Sequence, residues 1–239
     1  MLTGRIFFML KQSFISFGDH VNIENSARLS YQLIDESDSE FLFQLDQNPE
    51  VMRYINGGVM TTREEIKNKF IPRLNAYKNA NKGWGLWKVT ITENQQDIGW
   101  ILVRPMDFFS EQPIWHDIEL GWRFIQSSWG KGYASEAAIH IHQVLATLPD
   151  NKIFSAIAMH DNVGSIAIMK KMGMEYIKSY IHSEGKRLKT IEAFEKIGAL
   201  DESAMQAWLE RLQNLSETDI RTVVDSIPDT QMTQTDKEF

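Results

Sequence analysis

Residues 116–138 read HDIELGWRFIQSSWGKGYASEAA, and the interpretation of the whole chain starts from this stretch. Its first part alternates apolar and polar residues, which is typical of a strand and places Asp117 and Glu119 on one face. Two glycines follow, Gly130 and Gly132, and the residues after them have helical character. We therefore predict a strand, a tight turn and a helix N-terminus in immediate succession.

The turn between Gly130 and Gly132 is suited to an anion. Glycine adopts backbone conformations that other residues avoid, so several N–H groups can point at one place. A helix beginning near Tyr133 adds its unpaired first-turn N–H groups and the positive end of its dipole. The turn therefore predicts a phosphate or pyrophosphate ligand that is bound mainly through the backbone.

Two other phosphate motifs fit less well. The Walker pattern needs four residues between its first glycine and Gly-Lys-Ser/Thr, and the sequence has no such stretch. A Rossmann fingerprint could use Ser135 and Asp150, but Asp150 follows Pro149 in a predicted turn. The strand before the glycines also alternates, whereas a doubly wound core strand would be continuously apolar.

The turn and its flanks resemble the GNAT-type N-acetyltransferase superfamily, in the branch that includes the ribosomal-protein N-terminal acetyltransferases. The matching segments are IELGW at 118–122, WGKGYASEAA at 129–138, NVGS at 162–165 and KKMGM at 170–174. The resemblance covers about residues 27–196 and departs from the wider superfamily at Trp129, where Gln or Arg is usual. It implies the GNAT acyl-CoA N-acyltransferase fold, a mixed α/β class with a mostly antiparallel central sheet flanked by helices.

The resemblance also implies acetyl-CoA as cosubstrate and a set of binding residues. Asn162 would hydrogen-bond the pantetheine arm, although a helix N-cap is the alternative role for this residue. Whether the Lys131 side chain touches phosphate stays open, because the backbone can hold the pyrophosphate alone. The implied pyrophosphate-binding residues are Trp129, Gly130, Lys131, Gly132, Tyr133 and Ala134.

Glu119 is the candidate general base. An amine attacks a thioester only when it is unprotonated, and alkyl ammonium groups are mostly protonated at neutral pH, so something must accept the proton. GNAT enzymes often carry a glutamate on this strand. The alternative is a structural ion pair of Glu119 across the sheet, and Asp117 on the same face is the next candidate base.

The leaving thiolate needs a proton as well. Many GNAT enzymes place a tyrosine seven residues beyond the asparagine, but Met169 occupies that position here. Ser165 is the substitute that we consider, with helix capping as its alternative role. The chain has no cysteine to carry an acetyl group, which favours direct transfer in a ternary complex.

The predicted function is therefore transfer of an acetyl group from acetyl-CoA to a primary amine. A catalytically inactive acyl-CoA-binding regulatory module is the alternative, because the family tyrosine is missing. The acceptor could be a protein N-terminus or a small molecule such as a polyamine or an aminoglycoside.

Composition limits the other partners. The formal charge is −7, and residues 199–239 hold nine acidic and three basic side chains, so no basic face for a nucleic acid is expected. Six histidines without a ligand-like cluster, together with the lack of cysteine, predict no metal. The apolar run at 6–10 stops at Lys11, so we predict neither a signal peptide nor a membrane span, and a cytoplasmic location.

The chain divides by composition into four parts. We predict an N-terminal extension at 1–26, the acetyltransferase domain at 27–198, two amphipathic helices at 199–228 and a disordered tail at 229–239. The amphipathic helices either cover the chain's own surface or form a homodimer contact.

Within the domain the predicted order is a strand, two helices, three strands, a helix, a strand, a helix and two strands. Ser37 or Asp38 is expected to cap the first helix, which Pro49 ends. Thr62 is expected to open the second with a capping box, and Pro72 to kink or divide it.

Overall fold

In the computed structural model, which describes residues 20–184 and 187–197, seven strands form one sheet in the order β1-β2-β3-β4-β5-β7-β6. Every neighbouring pair is antiparallel except β4 and β5. The mixed α/β class with a mostly antiparallel sheet is thereby confirmed. The strands are β1 (Leu29–Leu33), β2 (Gly85–Ile91), β3 (Gln96–Met106), β4 (Ile114–Phe124), β5 (Ile153–Met159), β6 (Glu175–Glu184) and β7 (Arg187–Ile197).

The parallel pair is short and creates a gap in the sheet. Strands β4 and β5 are in register at Asp117 with Ile153, at Ile118 with Phe154 and at Glu119 with Ser155. Beyond this point β4 continues to Phe124 and β5 to Met159, and the described ladder between them ends. We call the gap between residues 120–124 and 156–159 the fork. Glu119 lies where the fork begins.

Helices cover both faces of the sheet. Between β1 and β2 lie α1 (Ser39–Leu45), α2 (Pro49–Asn56), α3 (Arg63–Glu65) and α4 (Ile71–Tyr77), whereas α5 (Tyr133–Leu145) and α6 (Val163–Lys171) flank β5 in sequence. Two hydrophobic cores lie on the two faces of the sheet, and consecutive strand residues belong to different cores because their side chains alternate between the faces. Leu86 and Trp100 pack with α1–α4, while Trp87 and Ile101 pack with α5 and α6.

Helix α2 was not predicted. Pro49 is predicted only to end the first helix, and α1 does end before it, at Leu45. Pro49 then opens a second helix as its first residue, where its missing N–H costs nothing. Asn48 caps this helix, its side chain accepting from Glu50 N, and Gly57 ends it with φ 84°. The chain therefore has more helical segments before β2 than we expected.

The other differences from the predicted helices concern the N-terminal caps and the position of Pro72. Asp38, one of the two predicted caps, is the N-cap residue of α1, but its side chain makes no capping bond to that helix. It instead accepts from Asp35 N in a capping box at the preceding 3₁₀ turn, where the side chain of Asp35 is the cap. The Thr62–Glu65 capping box is present as predicted. Pro72, which was expected to kink or divide the second helix, is the second residue of α4, and a π-helical turn, Ile66–Phe70, separates α4 from α3. A wider turn of this kind shifts the hydrogen-bond pattern where proline has no N–H to donate.

Most of the predicted flanking parts lie outside the described residues. The described end of the N-terminal extension packs on the domain, since Val21 and Ile23 are buried in the core beneath α5 and Val21 N donates to Ala80 O at 2.9 Å. Residues 1–19, the amphipathic helices at 199–228 and the tail at 229–239 are not described, and neither is any dimer contact that they would make.

Candidate active site

The turn before α5 has the backbone geometry that the sequence predicts. Gly130 and Gly132 adopt φ of 73° and 82°, in the left-handed region, and Gly132 is the N-cap of α5. The first backbone bond of the helix runs from Glu136 N to Gly132 O, and no side chain in the described part caps this end. The N–H groups of Tyr133, Ala134 and Ser135 therefore remain available to an anion.

Glycine is required here by conformation and not by crowding. A Cβ on Gly130 would meet no described atom within 4 Å, and one on Gly132 would reach only Arg28 Nη2, at 3.5 Å. The positive φ values, however, would strain any residue with a side chain. A substitution at either position should therefore change the direction of the turn's N–H groups.

A cavity of about 480 Å³ opens beside this turn. It is bounded by α2, by the part of β4 beyond Glu119, by the turn and by the first turns of α6. It is lined by most of the predicted site residues and by three further aromatic ones: the binding residues Trp129, Gly130, Gly132, Tyr133, Ala134 and Asn162, the catalytic candidate Ser165, and Tyr54, Trp122 and Phe124. The structure thus brings most of the predicted site residues together around one space.

Lys131 is the predicted binding residue that does not line the cavity. Its side chain is exposed, whereas its carbonyl oxygen accepts a bond from Arg28 Nη1 at 3.1 Å. Trp129 is fixed by a bond from its Nε1 to Phe124 O at 2.9 Å, and 47% of the residue is exposed. In this structure Lys131 therefore takes part in the glycine turn through its backbone, and its side chain is not part of the cavity lining.

Arg28 contacts the glycine turn and the first turn of α5 through its guanidinium group. Its role was not predicted from the sequence. Its Nε donates to Glu136 Oε2 at 2.7 Å, and its guanidinium carbon lies 4.5 Å from the centre of the Tyr133 ring. Glu136 also accepts from Ser26 Oγ and from the backbone N of Arg28. Burial opposes ionisation of Glu136, but these hydrogen bonds outweigh it and hold the pKa of the carboxyl below its usual value.

Asn162 and Ser165 meet at the start of α6. Asn162 Oδ1 accepts from Ser165 N at 3.1 Å, which makes Asn162 the helix N-cap, the alternative role considered for it. Ser165 Oγ accepts from Trp122 Nε1 at 3.1 Å, across the mouth of the fork. Met169, at the position of the family tyrosine, is buried in the core and 1% exposed.

Glu119 lies outside this cavity, at the start of the fork, on the face that α4 covers. It is 8% exposed, and Arg104 Nε donates to its Oε2 at 2.7 Å. Arg104 is its cross-strand partner on β3, so the structural ion pair considered for Glu119 is present. Asp117 is fully buried and accepts from Ser155 Oγ at 2.9 Å, which leaves it without access to a ligand.

Several side chains around Glu119 were also missed. Tyr77 and Arg73 approach it from α4, and Tyr180 from β6. Burial raises the pKa of Tyr77 well above its usual value, so that its hydroxyl stays protonated. These residues carry no motif in the sequence; only the folded topology brings them to the start of the fork.

The described residues offer neither a membrane-spanning helix nor a metal site. Their helices are too short or too polar to cross a bilayer, and they contain no group of three His, Asp or Glu side chains arranged to hold an ion.

The fold and the site together define an α/β protein in which a glycine turn and a helix N-terminus suited to bind phosphate lie beside a fork in the sheet. The family model for the acetyltransferase (GNAT) domain matches residues 28–175, more than half of the chain. The chain therefore belongs to the GNAT acetyltransferase family, which confirms the predicted family.

The chain is also similar to individual proteins, one of them in sequence and two in fold. The chain is 30% identical over 159 residues to the uncharacterized N-acetyltransferase YnaD of Bacillus subtilis (strain 168), covering 62% of this chain and 79% of the relative. Its fold is similar to a GNAT acetyltransferase from Bacillus anthracis, with TM-score 0.61, 22% identity and coverage of 74% and 98%. It is also similar to RimL, a ribosomal L7/L12 α-N-protein acetyltransferase solved with coenzyme A, with TM-score 0.61, 16% identity and coverage of 77% and 100%.

Proposed function

We propose that this protein transfers an acetyl group from acetyl-CoA to a primary amine, with both substrates bound together. The main support for this proposal is the N-terminus of α5, which has no side-chain cap and follows a glycine turn with left-handed backbone conformation. This end of the helix opens on a cavity that extends to the fork. The Tyr133, Ala134 and Ser135 N–H groups would hold the pyrophosphate of acetyl-CoA. The pantetheine arm would then follow the cavity past Asn162 toward the fork.

The reaction forms one bond and breaks another. The amine nitrogen attacks the thioester carbonyl carbon, the C–S bond breaks, the amine loses a proton and the thiolate gains one. The chain has no cysteine that could carry the acetyl group between the substrates. Direct transfer therefore needs only a proton acceptor near the amine and, at most, a proton donor near the sulfur.

Glu119 is our proposed proton acceptor. Arg104 bonds its Oε2, and in the described part of the chain Oε1 has no such partner, so one oxygen is left for a proton. A positioned base of this kind contributes roughly 10²–10⁴ in rate, directly or through one water. Its place at the start of the fork is where an amine entering from the α4 face would meet a thioester entering from the cavity.

Ser165 is our proposed donor to the thiolate. Its Oγ accepts from Trp122 Nε1, so its own hydrogen is free to point elsewhere in the cavity. A thiol with a pKa near 8.5 is also a fair leaving group, so loss of Ser165 should cost less than loss of Glu119.

The regulatory-module alternative is favoured by one observation, the ion pair that Arg104 makes with Glu119. Release of coenzyme A thiol from acetyl-CoA in the presence of a panel of amines separates the two functions. An enzyme releases thiol with at least one amine, whereas a module binds acetyl-CoA and releases none with any of them.

Binding at the turn is tested by Gly132→Val. The variant should abolish acetyl-CoA affinity in calorimetry, because valine strains a backbone at φ 82° and redirects the N–H groups behind it. Gly173→Val is the matched control: Gly173 has φ 73° but follows the far end of α6, so it should lower the melting temperature without loss of affinity. Unchanged affinity in a folded Gly132→Val protein would refute the assignment of the turn.

A further inference from the structure

Five side chains form a surface on the α4 face of the fork, which we call the acceptor-side cluster: Arg73, Tyr77, Arg104, Phe109 and Glu119. It lies on the opposite face of the sheet from the core that supports α5 and α6. None of its members lines the cavity beside the glycine turn. An acceptor amine that reaches Glu119 from this face must pass the other four side chains of the cluster.

The cluster has more positive charge than negative. Arg104 is neutralised by Glu119, with side-chain exposures of 20% and 11%. Arg73 has neither an ion pair nor a hydrogen bond within the described ranges, and its guanidinium carbon lies 3.5 Å from the centre of the Phe109 ring. The Arg104 guanidinium lies 5.5 Å from the centre of the same ring, so both cations approach Phe109.

Arg73 lies close to a second positively charged side chain, that of Arg104. Burial and the nearby Arg104 lower the pKa of its guanidinium, with Tyr77 and Glu119 acting in the opposite direction. The other acid nearby, Asp107, acts with Glu119 on Tyr180 and is not among the charges that shift Arg73. A planar guanidinium backed by an aromatic ring is well suited to bind a carboxylate through two parallel hydrogen bonds.

We propose that the acceptor is a primary amine that also carries a carboxylate, with the carboxylate bound by Arg73 while the amine lies toward Glu119. This inference rests on the proposed function and adds the chemical class of its acceptor. It disfavours polyamines and aminoglycosides, whose additional ammonium groups would face the guanidinium group of Arg73, which Glu119 does not neutralise. The chain's overall charge of −7 would attract such polycations from a distance, so a preference for anionic amines must come from this local surface.

The expected preference is about tenfold, since an ion pair worth roughly 1.4 kcal/mol changes an equilibrium by that factor. A matched series measures it: 4-aminobutyrate, butylamine and putrescine share a four-carbon chain and differ in bearing a carboxylate, nothing or a second ammonium. We expect kcat/KM to fall in that order, with about a tenfold difference between 4-aminobutyrate and butylamine. Free amino acids compared with dipeptides bearing an acidic second residue then show which source of carboxylate is used.

Arg73→Gln tests the residue itself. Residue 73 is largely exposed, so the variant should fold, and its preference for 4-aminobutyrate over butylamine should fall about tenfold. Arg63→Gln is the matched control, because Arg63 also stacks on an aromatic ring, Phe43, at 3.7 Å but lies at the start of α3, ten residues from Arg73. This variant should keep the full preference.

Two results overturn the proposal: putrescine used as well as 4-aminobutyrate, or a preference that Arg73→Gln leaves intact. Failure of the proposed function is distinguishable, since then no amine releases thiol although acetyl-CoA binds. The charge preference is still measurable in that case by calorimetry of the same amines on the coenzyme A complex. Equal affinities there would also refute it.

Discussion

At the scale of single residues, the surroundings of the Glu119 carboxylate fit two roles, that of a structural ion-pair partner and that of a general base. It is paired with Arg104 at 2.7 Å, as a structural glutamate would be, and it stands where β4 and β5 separate, as a base would need to. Glu119→Gln retains the shape and removes the proton acceptor, so kcat should fall by roughly 10²–10⁴ while acetyl-CoA affinity stays nearly unchanged. Steady-state kinetics with an acceptor and calorimetry with acetyl-CoA measure the two quantities.

The pH profile gives an independent test of the same residue. The wild-type rate should rise through an ionisation that the Glu119→Gln variant lacks, and alkali should partly rescue the variant by deprotonating the amine in solution. Glu192→Gln is a suitable control, because Glu192 is also a buried carboxylate with a basic side chain as its partner: Glu192 Oε1 lies 2.8 Å from His160 Nδ1. A loss below about threefold with an unaltered profile would assign Glu119 to structure alone, far under the range expected of a base.

At the scale of elements, the glycine turn depends on a brace that connects the segment before β1 to the first turn of α5. Arg28 contacts Glu136, the Lys131 carbonyl and the Tyr133 ring at once. Arg28→Ala should raise the KM for acetyl-CoA about fivefold, since a partly exposed ion pair contributes on the order of 1 kcal/mol. Because Arg28 does not line the cavity, kcat at saturating acetyl-CoA should stay the same.

The chain offers a close control for this brace. Arg63 pairs with Glu40 through both Nε and Nη2 and also stacks on an aromatic ring, far from the turn. Arg63→Ala should leave the KM for acetyl-CoA unchanged. A similar rise of KM in both variants would mean that general destabilisation, and not the brace, is responsible.

At the scale of the whole molecule, the sequence predicted what is local and missed what is distant along the chain. The glycine turn, the Asn162 cap and the order of strands follow from short patterns of turn residues and alternation. Arg28 with Glu136 and Trp122 with Ser165 are pairs that only the folded sheet brings together. No spacing rule relates such residues, so the brace and the contact across the fork were not predictable.

Helix α2 was missed for a different reason. Proline can end a helix or open one, and the prediction for Pro49 included only the first of these roles. Asn48 before it and Gly57 after the helix are the signals that would have identified it. The consequence for the site is direct, because residues of α2, including Tyr54, form one wall of the cavity.

The joint between α5 and the sheet contains a buried histidine that should make the whole fold sensitive to acid. His142 is 7% exposed, its ring lies 4.6 Å from that of Phe154 on β5, and its Nε2 has no hydrogen-bond partner within the described ranges. Burial, helped by the charge of Lys196, lowers the pKa of His142 from 6.5 to about 4. The folded state therefore keeps this imidazole neutral where the unfolded chain would bind a proton.

The direction of the pH effect follows from this difference. Between pH 6.5 and about 4 the unfolded state binds more protons, so the free energy of unfolding falls as the pH is lowered through that window. With about 1.4 kcal/mol for each pKa unit, and an imidazole that is not wholly enclosed, we expect a loss on the order of 2 kcal/mol. Above pH 6.5 both states hold the neutral form, and this contribution disappears.

His142→Leu should remove this part of the acid sensitivity, because leucine fills the site without a group that protonates. Urea unfolding at pH 7 and pH 5 measures it: the wild type should lose stability between the two, and the variant should lose less. His140→Leu, two residues earlier on the same helix but at the surface beside Tyr31, should retain the wild-type difference. If His142→Leu and the wild type lose the same free energy of unfolding between pH 7 and pH 5, acid acts on other groups and the α5–sheet joint is not the sensitive element.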